Sequence, residues 1–329
     1  MSDFNVHAPT RRQMLQLAAG TFVLGGMLTG KRYRRYLIRH QVATMGTTAD
    51  LAVVHHNERY ARAALQAAAA ELKRIETLMT RFDHNSDIGR ANARAGLQRV
   101  SVSPETAHVV QRALHWADAT DGAFEPAIAR VVDLWDVKQR HAPPPPDAIQ
   151  RLANRQLYRR IDVDAGARSA ALFVREGDAA IDLGGIAAGY GVDRAVDVLR
   201  EWGIVDGFVN VGGDIYALGR SRDEEAWDVG IRSPSDPTQL IGQHALSDGA
   251  IATSGDYEQG FTYGGRRYHH IMDPNTAEPR KSVWHSVTIT APTCIEADAA
   301  TTAVFGWPAD AAQHVLDDCS PGAQLIRSA

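Results

Sequence analysis

The chain has 329 residues, 44% of them apolar and 22% charged, with a formal net charge of -4 at pH 7. That size carries one large domain or two smaller ones whose core needs no disulfides, and the balance is that of a soluble globular protein. The first forty residues carry Arg11, Arg12, Lys31, Arg32, Arg34, Arg35 and Arg39 against Asp3, which leaves an acidic body and argues against nucleic acid as a main partner.

The N-terminus reads as an address. In "TRRQMLQLAAGTFVLGGMLTG" paired arginines precede a weakly apolar run from Leu17 to Leu28, which is short for a membrane span and resembles a Tat export signal. The basic "MLTGKRYRR" stands where a cleavage site would place small residues. The segment is therefore expected either to be cut or to stay as an inner-membrane anchor, with the body in the periplasm. Residues 1–40 are set apart as this segment and residues 41–329 as one domain. Cys294 and Cys319 lack metal-motif spacing and read as buried structural thiols.

The body then alternates irregularly between helices and hairpins. "ARAALQAAAAELKRIETLM" (61–79) places Leu65, Leu72, Ile75 and Leu78 on a helical period. Ser103-Pro104 starts a second helix as cap and first-turn proline. "HAPPPPD" (141–147) is a stiff connector leading to a helix near 147–156. "AAIDL", "GFVNV", "IYALG", "WDVGI", "GAIAT" and "SVTITA" read as strands, and "FTYGGRRYHHI" as a hairpin turned by Gly264-Gly265. The pattern predicts an α+β fold of mixed helices and antiparallel sheets.

Four stretches carry candidate chemistry. "DLGGIAAGYGVD" (182–193) runs from an apolar strand through Gly184-Gly185 into a helix stopped by Gly203. Such a loop brings free N–H groups and a positive dipole end together, which suits a phosphate, and it reads equally as a tight strand–helix turn. It fits neither the dinucleotide fingerprint nor the P-loop. "VNVGGDIYALG" reads as a hairpin turn. His269 and His270 in one strand point to opposite faces, so at most one serves a given site. Asp298 and Thr302 are four apart on one helix face, and their oxygens suit a hard cation such as Mg2+ or a mere side-chain pair on a solvated helix.

In chain order, "MGTTADL", "RFDHNSDIGRAN", "GAFEPAI", "DLGGIAAGYGVDRA", "VNVGGDIYALG", "SGDYEQGF", "YHHIMDP" and "ADAATTAVF" together resemble the ApbE family, the FAD:protein FMN transferases, over about residues 42–308. The resemblance implies an ApbE-like, T-fold-like arrangement around a flavin cleft. It implies FAD as substrate, Mg2+ as cofactor, and transfer of FMN to a Ser or Thr hydroxyl of an acceptor protein through a phosphoester, with AMP released. Carried over residue by residue, it implies that Met45 lines the flavin pocket and Phe82 stacks on the ring. It places Ala123, Phe124, Glu125 (where the family writes Asp), Asp182 and Ile271 against the cofactor. It makes the Gly185 carbonyl, Asp298 and Thr302 the Mg2+ ligands, and His270 the proton acceptor. The family usually writes "DLGGIAKGYAVD", so Ala188 and Gly191 depart from it; Ala188 removes a cation from the cofactor's side, and Arg194 is a candidate substitute. The same cleft also suits a Mg2+-dependent FAD pyrophosphatase or a non-catalytic periplasmic FAD-binding protein. The acceptors that export suggests are FMN-binding domains of Na+-pumping or Rnf-type oxidoreductases or of NosR-type proteins.

Overall fold

A seven-stranded antiparallel sheet forms the spine. In order across the sheet its strands are Gln324–Ser328, Ser286–Ala291, Gly249–Gly255, Asp214–Leu218, Gly207–Val211, Thr47–His55 and Tyr36–Thr44. The computed structural model describes residues 21–24, 35–166 and 169–328. Arg11, Arg12 and most of the apolar run that follows lie outside the described residues. Tyr36–Thr44 pairs along its whole length with Thr47–His55, and Thr21–Leu24 pairs antiparallel with Trp227–Arg232. None of the described helices is long and apolar enough to cross a membrane.

The Thr47–His55 strand is buried on both faces, which is why its sequence runs continuously apolar near its end instead of alternating. Leu51 and Val53 join the main core between the sheet and the helices Glu58–Met79, Ala187–Glu201 and Cys294–Ala303, whereas Ala52 and Val54 join a second core with Phe208 and Trp227 under the small sheet Thr21–Leu24, Trp227–Arg232, Leu240–Leu246. Asn57 caps the Glu58–Met79 helix by accepting from the Tyr60 N–H, and Ser103 caps Pro104–Ala119 in the same way through Thr106. The strands Gly260–Tyr263 and Arg266–His269 form the expected hairpin, with φ of +57° and +77° at Gly264 and Gly265. Cys294 and Cys319 are free and buried.

Two elements differ from the sequence reading. The helix near 147–156 spans Pro146–Leu152, because Ala153 is extended and Asn154 takes a left-handed φ of +52°. "AAIDL" is not a strand: only Ala180 bridges Ile128. Ile181 instead gives its N–H to the Asn92 side-chain oxygen (2.7 Å) and its carbonyl to the Asn92 amide (2.9 Å). One side-chain amide thus satisfies the backbone that a neighbouring strand would otherwise pair.

Candidate active site

The glycine loop is built to receive a helix. A Cβ at Gly189 would lie 2.3 Å from the Cys294 carbonyl oxygen and 2.8 Å from the Asp298 Cβ, and one at Gly185 would lie 3.0 Å from Thr302 Oγ1. Without those methyls the Ala187–Glu201 and Cys294–Ala303 helices close on each other. The first-turn N–H of Gly189 is thereby given to Asp298 Oδ2 at 2.9 Å rather than left for a phosphate. One turn on, Asp193 accepts from the N–H groups of Cys294 (2.7 Å) and Ile295 (2.9 Å), capping a helix whose own Thr293 makes no side-chain cap. At the other end the buried Arg280 donates to the carbonyls of Thr302, Ala303 and Phe305, and also to that of Ala123. A cation at a helix C-terminus complements the dipole; burial lowers Arg280 to about 10, so it stays charged.

Gly185, Asp298 and Thr302 thus stand together in the wall of a cleft of about 810 Å³. Phe82, Ala123, Phe124, Glu125, Asp182, Ala188, His270 and Ile271 line the same cleft. Met45 does not: Gly46 and Thr47 stand in the wall, while the Met45 side chain packs toward Leu72 and Gly191, where a Cβ would come within 2.7 Å of its methyl. The departure at Gly191 and the position of Met45 therefore explain each other. Glu125 turns its carboxylate to the backbone, accepting from Ala127 (2.9 Å) and Tyr158 (3.2 Å), and burial pushes it up to about 7. It ties the turn at Ala127 to the backbone of Tyr158.

Phe82 is 80% exposed, with the Arg81 guanidinium 4.4 Å from its ring centroid. Arg81 is held at 2.7 Å by both Asp133 and Asp182, and Asp182 also accepts from the Gly184 N–H. Arg194 does not replace the missing lysine. It pairs with Glu71, Glu105 and Asp197 and is absent from the cleft wall.

The two histidines separate as their positions require. His269 is buried, with Nε2 3.0 Å from the Arg280 carbonyl and its ring edge-on to Phe305. His270 leaves the strand at a bend, donates its backbone N–H to Gln259, and lines the cleft. Its Nδ1 is buried without a partner. Burial, with His269 adding, lowers it to about 4, so the imidazole is neutral at pH 7.

The sequence reading missed Asp214, which ends the Gly212-Gly213 turn and lines the cleft. Burial and then the Asp298 carboxylate push Asp214 up, and burial and then Asp193 push Asp298 up against the Gly189 hydrogen bond. A Gly-Gly-Asp turn between strands was the available signal. Arg280 and its carbonyl partners had none, because they lie 22 to 157 residues apart. Among the described residues no three His, Cys, Asp or Glu side chains gather as a metal site. The oxygens here are two carboxylates, a hydroxyl and a carbonyl. Such a sparse, hard set fits Mg2+, which keeps waters and takes phosphate oxygens instead of a full protein cage.

The model of the ApbE family matches residues 45–326. The FAD:protein FMN transferase of Treponema pallidum is 34% identical over 259 residues, covering 74% of this chain and 71% of that protein. That of Klebsiella pneumoniae is 31% identical and covers 81% of each. Among solved structures, the ApbE protein of Thermotoga maritima superposes with a TM-score of 0.78 at 32% identity, covering 89% of this chain and 93% of that one. The flavin transferase ApbE of Vibrio cholerae gives 0.76 at 26%, covering 87% and 91%. With its fold and nearly its whole body matched in this way, the chain belongs to the ApbE family.

Proposed function

We propose that the chain is a FAD:protein FMN transferase that uses Mg2+ and links FMN through a phosphoester to a Ser or Thr of an acceptor protein. The observation that carries this is the convergence of Gly185, Asp298 and Thr302 with His270 and the bare Phe82 ring in one cleft. Storage of FAD alone would need no acid–base group beside the carboxylates. Phe82 offers a face to the isoalloxazine, and Gly185, Asp298, Thr302 and Asp214 would hold the cation. Mg2+, when bound, neutralises the diphosphate and polarises phosphorus.

In the reaction the acceptor hydroxyl oxygen forms a bond to the FMN phosphorus, the bridging P–O bond breaks, and AMP leaves with the electron pair. The hydroxyl proton goes to the neutral His270 imidazole. At about 4 this imidazole is a weak base, and the phosphates of bound FAD would raise it toward neutrality. The twin arginines support export to the periplasm, where FMN-binding domains of Na+-pumping or Rnf-type oxidoreductases or NosR-type proteins would be the acceptors.

The test mixes purified protein, FAD, Mg2+ and such a domain, then reads in-gel flavin fluorescence on the acceptor. A labelled band is expected, lost in EDTA and in Asp298→Ala. Single-turnover transfer should fall at least ~10²-fold in His270→Ala and hardly change in a folded His269→Gln. FMN and AMP appearing without a labelled band would instead make the chain a pyrophosphatase.

A further inference from the structure

We propose that Lys138 is the cation that grips the phosphate chain of the dinucleotide in this cleft, a role the apolar Ala188 cannot fill. The proposal rests on the reading that FAD occupies the cleft. The wall is rich in carboxylates: Asp133, Asp136, Asp182, Asp214, Glu258 and Asp298 all line it. Asp133 and Asp182 are paired with Arg81, and Glu258 with Arg232, so a diphosphate entering there meets Asp136 and the Asp214 and Asp298 carboxylates, and a divalent cation at the Asp298 end would offset the last two.

The cationic side chains of the wall are Arg81, Lys138 and, when protonated, His270. Arg81 is engaged by Asp133 and Asp182 and lies over Phe82. His270 is neutral at pH 7. Lys138 is exposed and makes no ion pair among the described residues. It sits just past the Ala129–Trp135 helix, in a turn set by Asp136 at a φ of +31°, whose carbonyl accepts from the N–H groups of Gln139 and Arg140. Lys138 and His270 line the same cleft, with Asp136, Val137 and Gln139 beside the lysine in its wall. A lysine on a flexible stem binds phosphate as a point charge without needing a rigid partner geometry.

The test compares FAD and riboflavin, which differ in the phosphates, by flavin-fluorescence titration in Mg2+ without acceptor. Lys138→Met should weaken FAD about tenfold, leave riboflavin within about twofold, and flatten the salt dependence of FAD binding. Lys138→Arg should keep FAD affinity, and adding Ala188→Lys to Lys138→Met should restore most of it. Equal losses for FAD and riboflavin, or unchanged FAD affinity in Lys138→Met, would overturn the proposal while leaving the FAD cleft standing. A wild-type protein that binds no FAD would sink both.

Discussion

The two walls of the cleft are made differently. On the glycine-loop side the polar groups that set the geometry are buried and partnered: the Gly189 N–H on Asp298, Asp193 on one end of the acidic Cys294–Ala303 helix, Arg280 on the other. In another part of the lining the groups face solvent or lack a protein partner: Phe82 is 80% exposed, Lys138 is exposed, and His270 Nδ1 is buried with no partner. The first wall is fixed by the protein's own packing, and the second waits for what it binds. Substitutions in the first should therefore register in stability, and those in the second in ligand affinity.

The largest effect should come at the seam itself. In Gly189→Ala the new methyl meets the backbone carbonyl of Cys294 at 2.3 Å, and a backbone atom cannot swing aside as a side-chain tip can. The two helices must part, breaking the bond to Asp298. A loss on the order of 3–4 kcal/mol in denaturant unfolding is expected. A loss below about 1 kcal/mol would mean that the seam yields easily and that the contrast between the walls is false.

Glu125 tests the buried wall by pH. Its folded-state value is raised by burial from the ordinary 4.5 to about 7. The folded protein therefore holds this proton more tightly than the unfolded chain does. Stability from this group is greatest below about pH 4.5, is lost as pH rises toward 7, and is flat above. Over that window it amounts to roughly 3 kcal/mol. Glu125→Gln cannot ionise, so its stability relative to the wild type should improve between pH 5 and pH 8. Parallel curves for the two proteins would show that the carboxylate is better solvated than its burial implies.

How much of this could be read from the sequence follows the same division. The Gly264-Gly265 turn, the Ser103-Pro104 helix start and the i, i+4 pairing of Asp298 with Thr302 are local, and each appears where spacing put it. The polar contacts that brace the buried wall are not local. Asn92 reaches 89 residues to replace a strand at Ile181, and Asp193 reaches 101 to cap the acidic helix. A side chain that satisfies distant backbone leaves no periodicity behind. Asp214 was legible as a turn, but its partner Asp298 comes from another element, so its place in the site was not.

The smallest effect on stability, and the sharpest use of the contrast, belongs to Phe82. With most of its surface in solvent, its ring contributes little buried area, and Phe82→Ala should change unfolding by no more than about 0.5 kcal/mol. The same ring has the Arg81 guanidinium 4.4 Å from its centroid, and Arg81 is braced by two carboxylates. That arrangement holds the aromatic plane at the cleft mouth, and the exposed surface is available for a planar ligand. Removing the plane should weaken FAD by about 1–2 kcal/mol, and Phe82→Tyr should restore it, since stacking needs only a π-face. Flavin-fluorescence titration reads the affinity, and denaturant unfolding reads the stability. If Phe82→Ala destabilised the fold as much as it weakened FAD, the ring would belong to the packed wall after all, and the division between a prebuilt side and a ligand-completed side would fail at its most exposed residue.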